Sequence, residues 1–348
     1  MPHSGTSAKL RAAVVGASGY SGEELLRLLS RHPGIEITAV TSRQFAGKPV
    51  AQVVPQVLGC SALAFEDLTP QSLLGRADVY FLALPHGVAA EYVVPLRQAG
   101  QKVIDLSADF RLRSADRYAE FYGKAHPAPA LLKEAVYGLP ERHREQIKKA
   151  DLIASPGCYP TSILLALLPV LKAGGVDEKT IVINSLSGVS GAGKKAEIGL
   201  LYGEVNENMK AYGVPKHRHL GEIEQELSAV AGKEIVVGFT PHLIPLTRGM
   251  LTSISVQATG DLSEDRLRDL YQKAYASEPF VRVLTGDALP EARNVARTND
   301  AELAVRVDAR TGRFLLFSAI DNLGKGAAGQ AIQAMNLRFG FEETTGLV

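Results

Sequence analysis

Apolar residues fall in short runs of strand length along the first half of the chain, at 12–15, 35–40, 79–84, 102–105 and 152–154. Between several of them lie helix-like segments. Residues 23–30 place Leu25, Leu26, Leu28 and Leu29 on one face, and 89–99 behaves similarly. Strands alternating with helices imply crossover connections, and so a doubly wound parallel sheet covered on both faces. After a helix-like run at 162–172 the pattern becomes strand-rich, at 181–186, 235–239, 250–258, 281–284, 304–308 and 314–320. A mainly antiparallel sheet with helices at 222–230 and 263–276 is the simpler reading there, the second helix entered through a Ser263 cap. The tail returns to helix at 330–339, expected to pack back on the first unit. The fold class predicted is α/β, with a second α+β domain.

Composition narrows this. With 348 residues the chain exceeds the length at which one core stops growing. Hydrophobic residues at 46% and charged residues at 22% exclude a disordered or coiled-coil chain. A formal charge of +1 provides no field to collect nucleic acid or anionic membrane, so a small ligand is expected. The polar N-terminus lacks the apolar core of an export signal, and the longest apolar stretch, 163–171, is interrupted by Pro169. Two cysteines, Cys60 and Cys158, make no disulfide framework; a reducing cytoplasmic setting fits.

Gly16-Ala-Ser-Gly19-Tyr-Ser-Gly22 follows the first strand and opens the first helix, the context of a dinucleotide fingerprint, although the spacing is G-x-x-G-x-x-G. Gly16, Ser18, Gly19, Tyr20, Ser21 and Gly22 are therefore candidate cofactor contacts in a Rossmann-like domain. Where an acidic residue would select NAD, the second strand ends in Thr41-Ser42-Arg43. A hydroxyl followed by a planar, permanently charged guanidinium suits a 2'-phosphate, which favours NADP(H). Pro85 and His86, in Leu84-Pro-His-Gly87, end a strand toward the same crevice. Ser187-Gly-Val-Ser-Gly-Ala-Gly-Lys194 is a second glycine-rich loop, without the pattern of a nucleotide P-loop.

Ser155-Pro-Gly-Cys158-Tyr-Pro-Thr161 sets a cysteine just ahead of an apolar helix, where free amides lower a thiol pKa and favour attack on an acyl group. Cys60, in Leu58-Gly-Cys-Ser61, reads as a packing or surface residue. Lys216-His217-Arg218-His219 precedes Glu222; a histidine there can relay a proton. His217, His219 and Glu222 have the chemistry of metal ligands, but no further cluster completes a site, and no metal is predicted.

Taken in order, Gly16 to Gly22, Thr41 to Arg43, Leu84 to Gly87, Leu106-Ser-Ala-Asp-Phe-Arg111, Tyr137-Gly-Leu-Pro140, Pro156 to Thr161, Lys216 to His219 and Asp321-Asn-Leu-Gly-Lys-Gly-Ala-Ala-Gly329 resemble the N-acetyl-gamma-glutamyl-phosphate reductase family, NADPH-dependent relatives of aspartate-semialdehyde dehydrogenase. The resemblance spans about residues 10–343. It implies that Cys158 is the nucleophile, that His219 is the acid/base with His217 near substrate, that Arg111 and Arg248 anchor phosphate or carboxylate, and that Ser187, Gly188 and Asn322 approach the nicotinamide. It further implies a homodimer or homotetramer. The implied domains are 1–157 with 322–348 for NADP, and 158–321 for catalysis, substrate binding and oligomerisation. Gly221 departs from the family, which usually has proline before Glu222.

The implied reaction is reduction of N-acetyl-L-glutamyl 5-phosphate to the 5-semialdehyde through a Cys158 thioester, in arginine biosynthesis. Two alternatives stand beside it: an aminoadipyl-phosphate reductase of lysine biosynthesis, because one methylene discriminates weakly, and a non-catalytic NADP-sensing protein, because fold does not fix function.

Overall fold

A computed structural model describes residues 8–57, 62–260 and 263–348, so Cys60 lies outside the described residues. The first sheet contains six parallel strands in the order β2-β1-β3-β4-β6-β5: β1 (Leu10–Val15), β2 (Ile35–Thr41), β3 (Val79–Leu82), β4 (Lys102–Asp105), β5 (Val136–Tyr137) and β6 (Leu152–Ala154). Its strands read as unbroken apolar runs because both faces are covered. Ala12 and Val14 face a core shared with α1 (Tyr20–Leu29) and the C-terminal helix, whereas Ala13 and Val15 face α2 (Ala89–Gln98). Two further helices belong to this unit, α3 (Ala115–Tyr122) and α4 (Pro140–Ile147).

The helix α5 (Cys158–Ala173) leaves the end of β6 and becomes the centre of the second core. It starts four residues before the run at 162–172 suggests. Pro160 is accommodated in its first turn, where a missing N–H costs nothing. Against α5 packs a seven-stranded sheet ordered β11-β12-β13-β10-β7-β9-β8. Its strands are β7 (Val176–Gly188), β8 (Lys210–Ala211), β9 (Gly238–Ile244), β10 (Met250–Ala258), β11 (Val281–Val283), β12 (Ala301–Asp308) and β13 (Arg313–Ile320). The β7–β9 and β11–β12 pairs are parallel and the others antiparallel. The strand expected at 235–239 begins instead at Gly238: Ile235 and Val237 are buried from an irregular segment, and the alternation of Phe239 and Leu243 continues to Ile244. Helices α6 (Leu220–Ala231) and α7 (Glu264–Ala274) complete this layer, and Ser263 accepts the Arg266 amide as the N-cap.

A short π-helical turn, Gly324–Ala328, leads into α8 (Gly329–Phe339), whose Ala331, Ile332 and Met335 join the core of β1 and α1. The loops after β1, β3, β4 and β6 all open at the carboxyl ends of the parallel strands, where a doubly wound sheet leaves its crevice. Every candidate motif of the first half therefore emerges on one edge.

Candidate active site

Cys158 is the first residue of α5, behind an extended Gly157 cap that has no side chain to accept the amides of the first turn. A Cβ at residue 157 would lie 2.7 Å from His219 Nε2 and 3.0 Å from Arg111 Nη1. Only glycine admits both groups to the helix start. From the other side, a Cβ at Gly326 would lie 2.8 Å from Cys158 Cβ, which places the Asp321–Gly329 motif against the same residue. Three segments far apart in sequence thus meet around one sulfur.

The environment of that sulfur overturns one expectation. Burial pushes the Cys158 thiol up to about 11. The Tyr159 amide, Arg111 and Arg218 pull it down, but Glu222 reinforces the burial. The helix-terminus effect is present and is outweighed by desolvation. His219 shows the matching response: burial, then His217, Arg111, Arg218 and His86, hold its imidazole well below the ordinary range. Thiol and imidazole therefore rest together as neutral groups. His219 Nδ1 is buried with no hydrogen-bond partner among the described residues.

His217 sits between Tyr159, Tyr212 and Phe239, edge-on to each, and its Nδ1 accepts the His219 amide at 3.1 Å. Burial lowers it to about 4, with Arg218 adding to the effect. The neutral ring props the His219 backbone. Glu222, only 1% exposed, accepts the Gly157 N–H at 3.1 Å and lies 3.6 Å from Arg111 Nη1. Arg111 is itself fixed, its Nε donating to Ser155 O at 2.7 Å and its Nη2 to Leu106 O at 2.8 Å. The sequence offered Glu222 as a possible metal ligand or as the carboxylate that orients a histidine; the structure sets it on the Gly157 N–H, just ahead of α5.

Arg248 is held by two carboxylates. Its Nε bonds Asp321 at 2.9 Å, its Nη1 and Nη2 bond Glu24 of α1 at 3.0 and 3.1 Å, and Nη2 also reaches Asp321. With every guanidinium nitrogen on a carboxylate, it ties α1 to the second sheet, and the substrate-anchor expectation for Arg248 is corrected.

Two cavities of about 300 and 600 Å³ form a cleft beside the site, both lined by Gly16, Ser18, Leu84 and Pro85. The smaller adds Ser42, Arg43, Gln44 and Asp67; the larger adds Gly19, Tyr20, Ser21, His86 and the loop 191–195, and reaches Arg218. Gly16 adopts φ +81°, and a Cβ on it would meet Ala83 O at 2.6 Å, so the turn is tight enough for backbone amides to face the cleft. Gly22 lies under that turn, its Cβ position 2.6 Å from Gly16 O, and no side chain caps α1. An uncapped helix start at a glycine cradle fits a dinucleotide pyrophosphate. Ser42 is buried and hydrogen-bonds Ser18 at 2.9 Å, while Arg43 is exposed, 3.8 Å from Asp67. His86 Nδ1 accepts the Ala108 amide, and burial lowers the ring to about 3. Ser187 and Gly188 lie one step behind the loop 191–195, and Asn322 braces it, donating to Ser190 Oγ at 2.8 Å and accepting from Gly249 N–H at 2.9 Å. The cleft walls at 191–195 and Arg218 were missed as site residues; the glycine-rich and basic motifs containing them were the available signal.

The chain is similar to the semialdehyde dehydrogenase NAD-binding domain over residues 11–150 and to the semialdehyde dehydrogenase dimerisation domain over 158–322. It is 51% identical to an N-acetyl-gamma-glutamyl-phosphate reductase of Moorella thermoacetica, over 97% of this chain and 98% of that one, and 52% identical to one of Akkermansia muciniphila, over 97% and 99%. Among solved structures, aspartate semialdehyde dehydrogenase II of Vibrio cholerae, complexed with ASA, shares the fold at a TM-score of 0.73 and 18% identity, covering 96% of this chain and 99% of that one. The Candida albicans aspartate semialdehyde dehydrogenase with NADP gives 0.70 at 18%, covering 94% and 98%. With half of its residues shared across almost its whole length, the chain belongs to the N-acetyl-gamma-glutamyl-phosphate reductase family.

Proposed function

We propose that the protein reduces N-acetyl-L-glutamyl 5-phosphate to N-acetyl-L-glutamate 5-semialdehyde and phosphate, with NADPH as reductant, in arginine biosynthesis. The observation that carries this reading is the meeting of Cys158, His219 and Arg111 at the Gly157 cap. A carboxylate resists hydride, whereas an acyl phosphate has a leaving group that a thiol can displace. Because the resting thiol and imidazole are both neutral, His219 takes the Sγ proton as sulfur attacks, and a thioester forms on Cys158. Bound NADPH supplies the hydride that converts the thioester carbon to the aldehyde level. His219 then manages the proton of the developing alkoxide, and collapse restores the thiol. Arg111, fixed by two carbonyls, holds Nη1 beside the Gly157 cap, 3.6 Å from Glu222, where its charge can stabilise the developing oxyanion.

We place the adenosine 2'-phosphate at Ser42 and Arg43, so that Arg43→Ala should raise KM for NADPH about tenfold while leaving that for NADH little changed. The units are taken to divide as 1–157 with 322–348, and 158–321. The outer face of the second sheet, with Val182 exposed and Leu186, Leu251 and Phe317 half-buried, supports a homodimer or homotetramer in a cytoplasmic enzyme. The deciding assay is phosphate- and NADP-dependent oxidation of N-acetylglutamate 5-semialdehyde. Turnover that falls by roughly 10³-fold in Cys158→Ser supports the thioester route; a parent that binds NADP and does not turn over sinks the substrate assignment.

A further inference from the structure

We infer that Arg218 holds the phosphoryl group of the acyl phosphate, a role that rests on the acyl-phosphate reading above. Three cations line the larger cavity: Lys194, Lys195 and Arg218. Lys194 bonds Glu23 at 2.5 Å and Ser18 O at 3.4 Å, and Lys195 lies 3.6 Å from Glu197. Arg218 is exposed to the cleft and has no hydrogen-bond or ion-pair partner among the described residues. Its neighbours in sequence are fixed, since His217 and His219 are both buried and joined through the His219 amide. The side chain between them is therefore displayed from a rigid base.

Its charge acts on both walls of the cleft: it bears on His86, on the loop after β3, and on His217, His219 and Cys158. Arg111 is the weaker candidate for a departing dianion, because Glu222 lies 3.6 Å from its Nη1 and its other nitrogens face carbonyls. In the substrate, the phosphoryl group is one oxygen from the reacting carbon, while the retained carboxylate lies four carbon–carbon bonds away. A cation whose field reaches sulfur and imidazole matches the near group. As the Sγ–carbon bond forms, the bond from carbon to the bridging oxygen breaks, the electron pair leaves with phosphate, and the thiol proton passes to His219. The Arg218 fork receives the charge that the leaving oxygens acquire. In the reverse direction the same fork holds inorganic phosphate for attack on the thioester.

The reverse reaction separates the anions, because phosphate and the semialdehyde are then independent substrates. Arg218→Gln and Arg218→Lys are compared with the parent for both KM values, kcat, NADP binding and thermal unfolding, and inorganic phosphate binding is followed by 31P line width. The expected result is a phosphate KM raised on the order of tenfold or more in Arg218→Gln, partial recovery in Arg218→Lys, and semialdehyde KM, NADP binding and unfolding within about twofold of the parent. A raised semialdehyde KM with unchanged phosphate KM would make Arg218 a carboxylate anchor and overturn the proposal, as would no change in either. A parent that broadens the phosphate line without turnover, with broadening lost in Arg218→Gln, removes the substrate reading but leaves the phosphate site standing. Absence of both turnover and broadening removes both.

Discussion

Two helices open onto one cleft from glycine caps in the same extended conformation, neither with a side-chain cap, yet they create opposite environments. At α1 the start faces an open cavity, and its amides remain available to an anion. At α5 the start is buried, Glu222 already accepts the Gly157 N–H, and the thiol on the first residue is pushed up rather than down. The same local geometry binds charge where water reaches it and suppresses charge where water is excluded. Reactivity at Cys158 therefore waits for a substrate to arrive and for His219 to take the proton.

Replacing each cap region with alanine sharpens this contrast. Gly157→Ala drives a methyl into His219 Nε2 and Arg111 Nη1, and moving either by about 1 Å is expected to lower kcat roughly 100-fold. NADP affinity should be retained, as a fluorescence titration would report. If kcat survives, the cap does not position the catalytic groups. In α1, Gly22→Ala meets Ala17 Cα and Gly16 O at 2.6 Å, so the turn must open. The expected outcome is the mirror image: Kd for NADPH weakened about tenfold, with alkylation of Cys158 at a fixed pH unaltered. Equal losses in both measurements would mean that the two starts move as one unit.

The electrostatic half of the comparison can be broken at Glu222. Its carboxylate raises the thiol, so Glu222→Gln should lower the thiol pKa. Iodoacetamide alkylation in the parent should climb with pH toward a midpoint near 11, because only the thiolate reacts. In the variant the profile should move to lower pH by less than about one unit, giving labelling at neutral pH faster by about a few-fold at most. A profile that moves upward instead would show that Glu222 acts chiefly by orienting Arg111.

The parallel sheet was legible in the sequence because strands buried on both faces leave unbroken apolar runs, and the cofactor turn because its glycines stand between a strand and a helix. Cys158, His219 and Arg111 came from motif order. Helices α3 and α4 escaped detection because their exposed faces are highly polar and their apolar stripes short. Partners were harder to read than positions. Thr247-Arg-Gly249 announces a charge, but nothing local reveals that Glu24, 224 residues away, neutralises it. The thiol pKa failed for the same reason: the amides of α5 are local, whereas Glu222 and the burial are supplied by the fold.

The mildest test concerns how Glu222 is held against α5. Gly221 precedes Glu222 in the first turn of α6, and a Cβ there would lie 2.6 Å from Phe121 Cδ2 and 2.9 Å from its Cε2. Phe121 on α3 occupies the room that a larger residue at 221 would need, and Arg117 donates to Gly221 O from the same helix. In the first turn of α6 alanine gains over glycine at most the roughly 1 kcal/mol of a helix interior, while overpacking costs about 1–3 kcal/mol. Gly221→Ala alone should therefore lose on the order of 1 kcal/mol in denaturant unfolding, with kcat changed only a few-fold. Adding Phe121→Leu opens the space, so the pair should be more stable than the sum of the single changes implies, by about 1 kcal/mol. Strict additivity would mean that the aromatic ring does not set the approach of α6. The position of Glu222 would then depend on its bond to Gly157 and not on packing from α3.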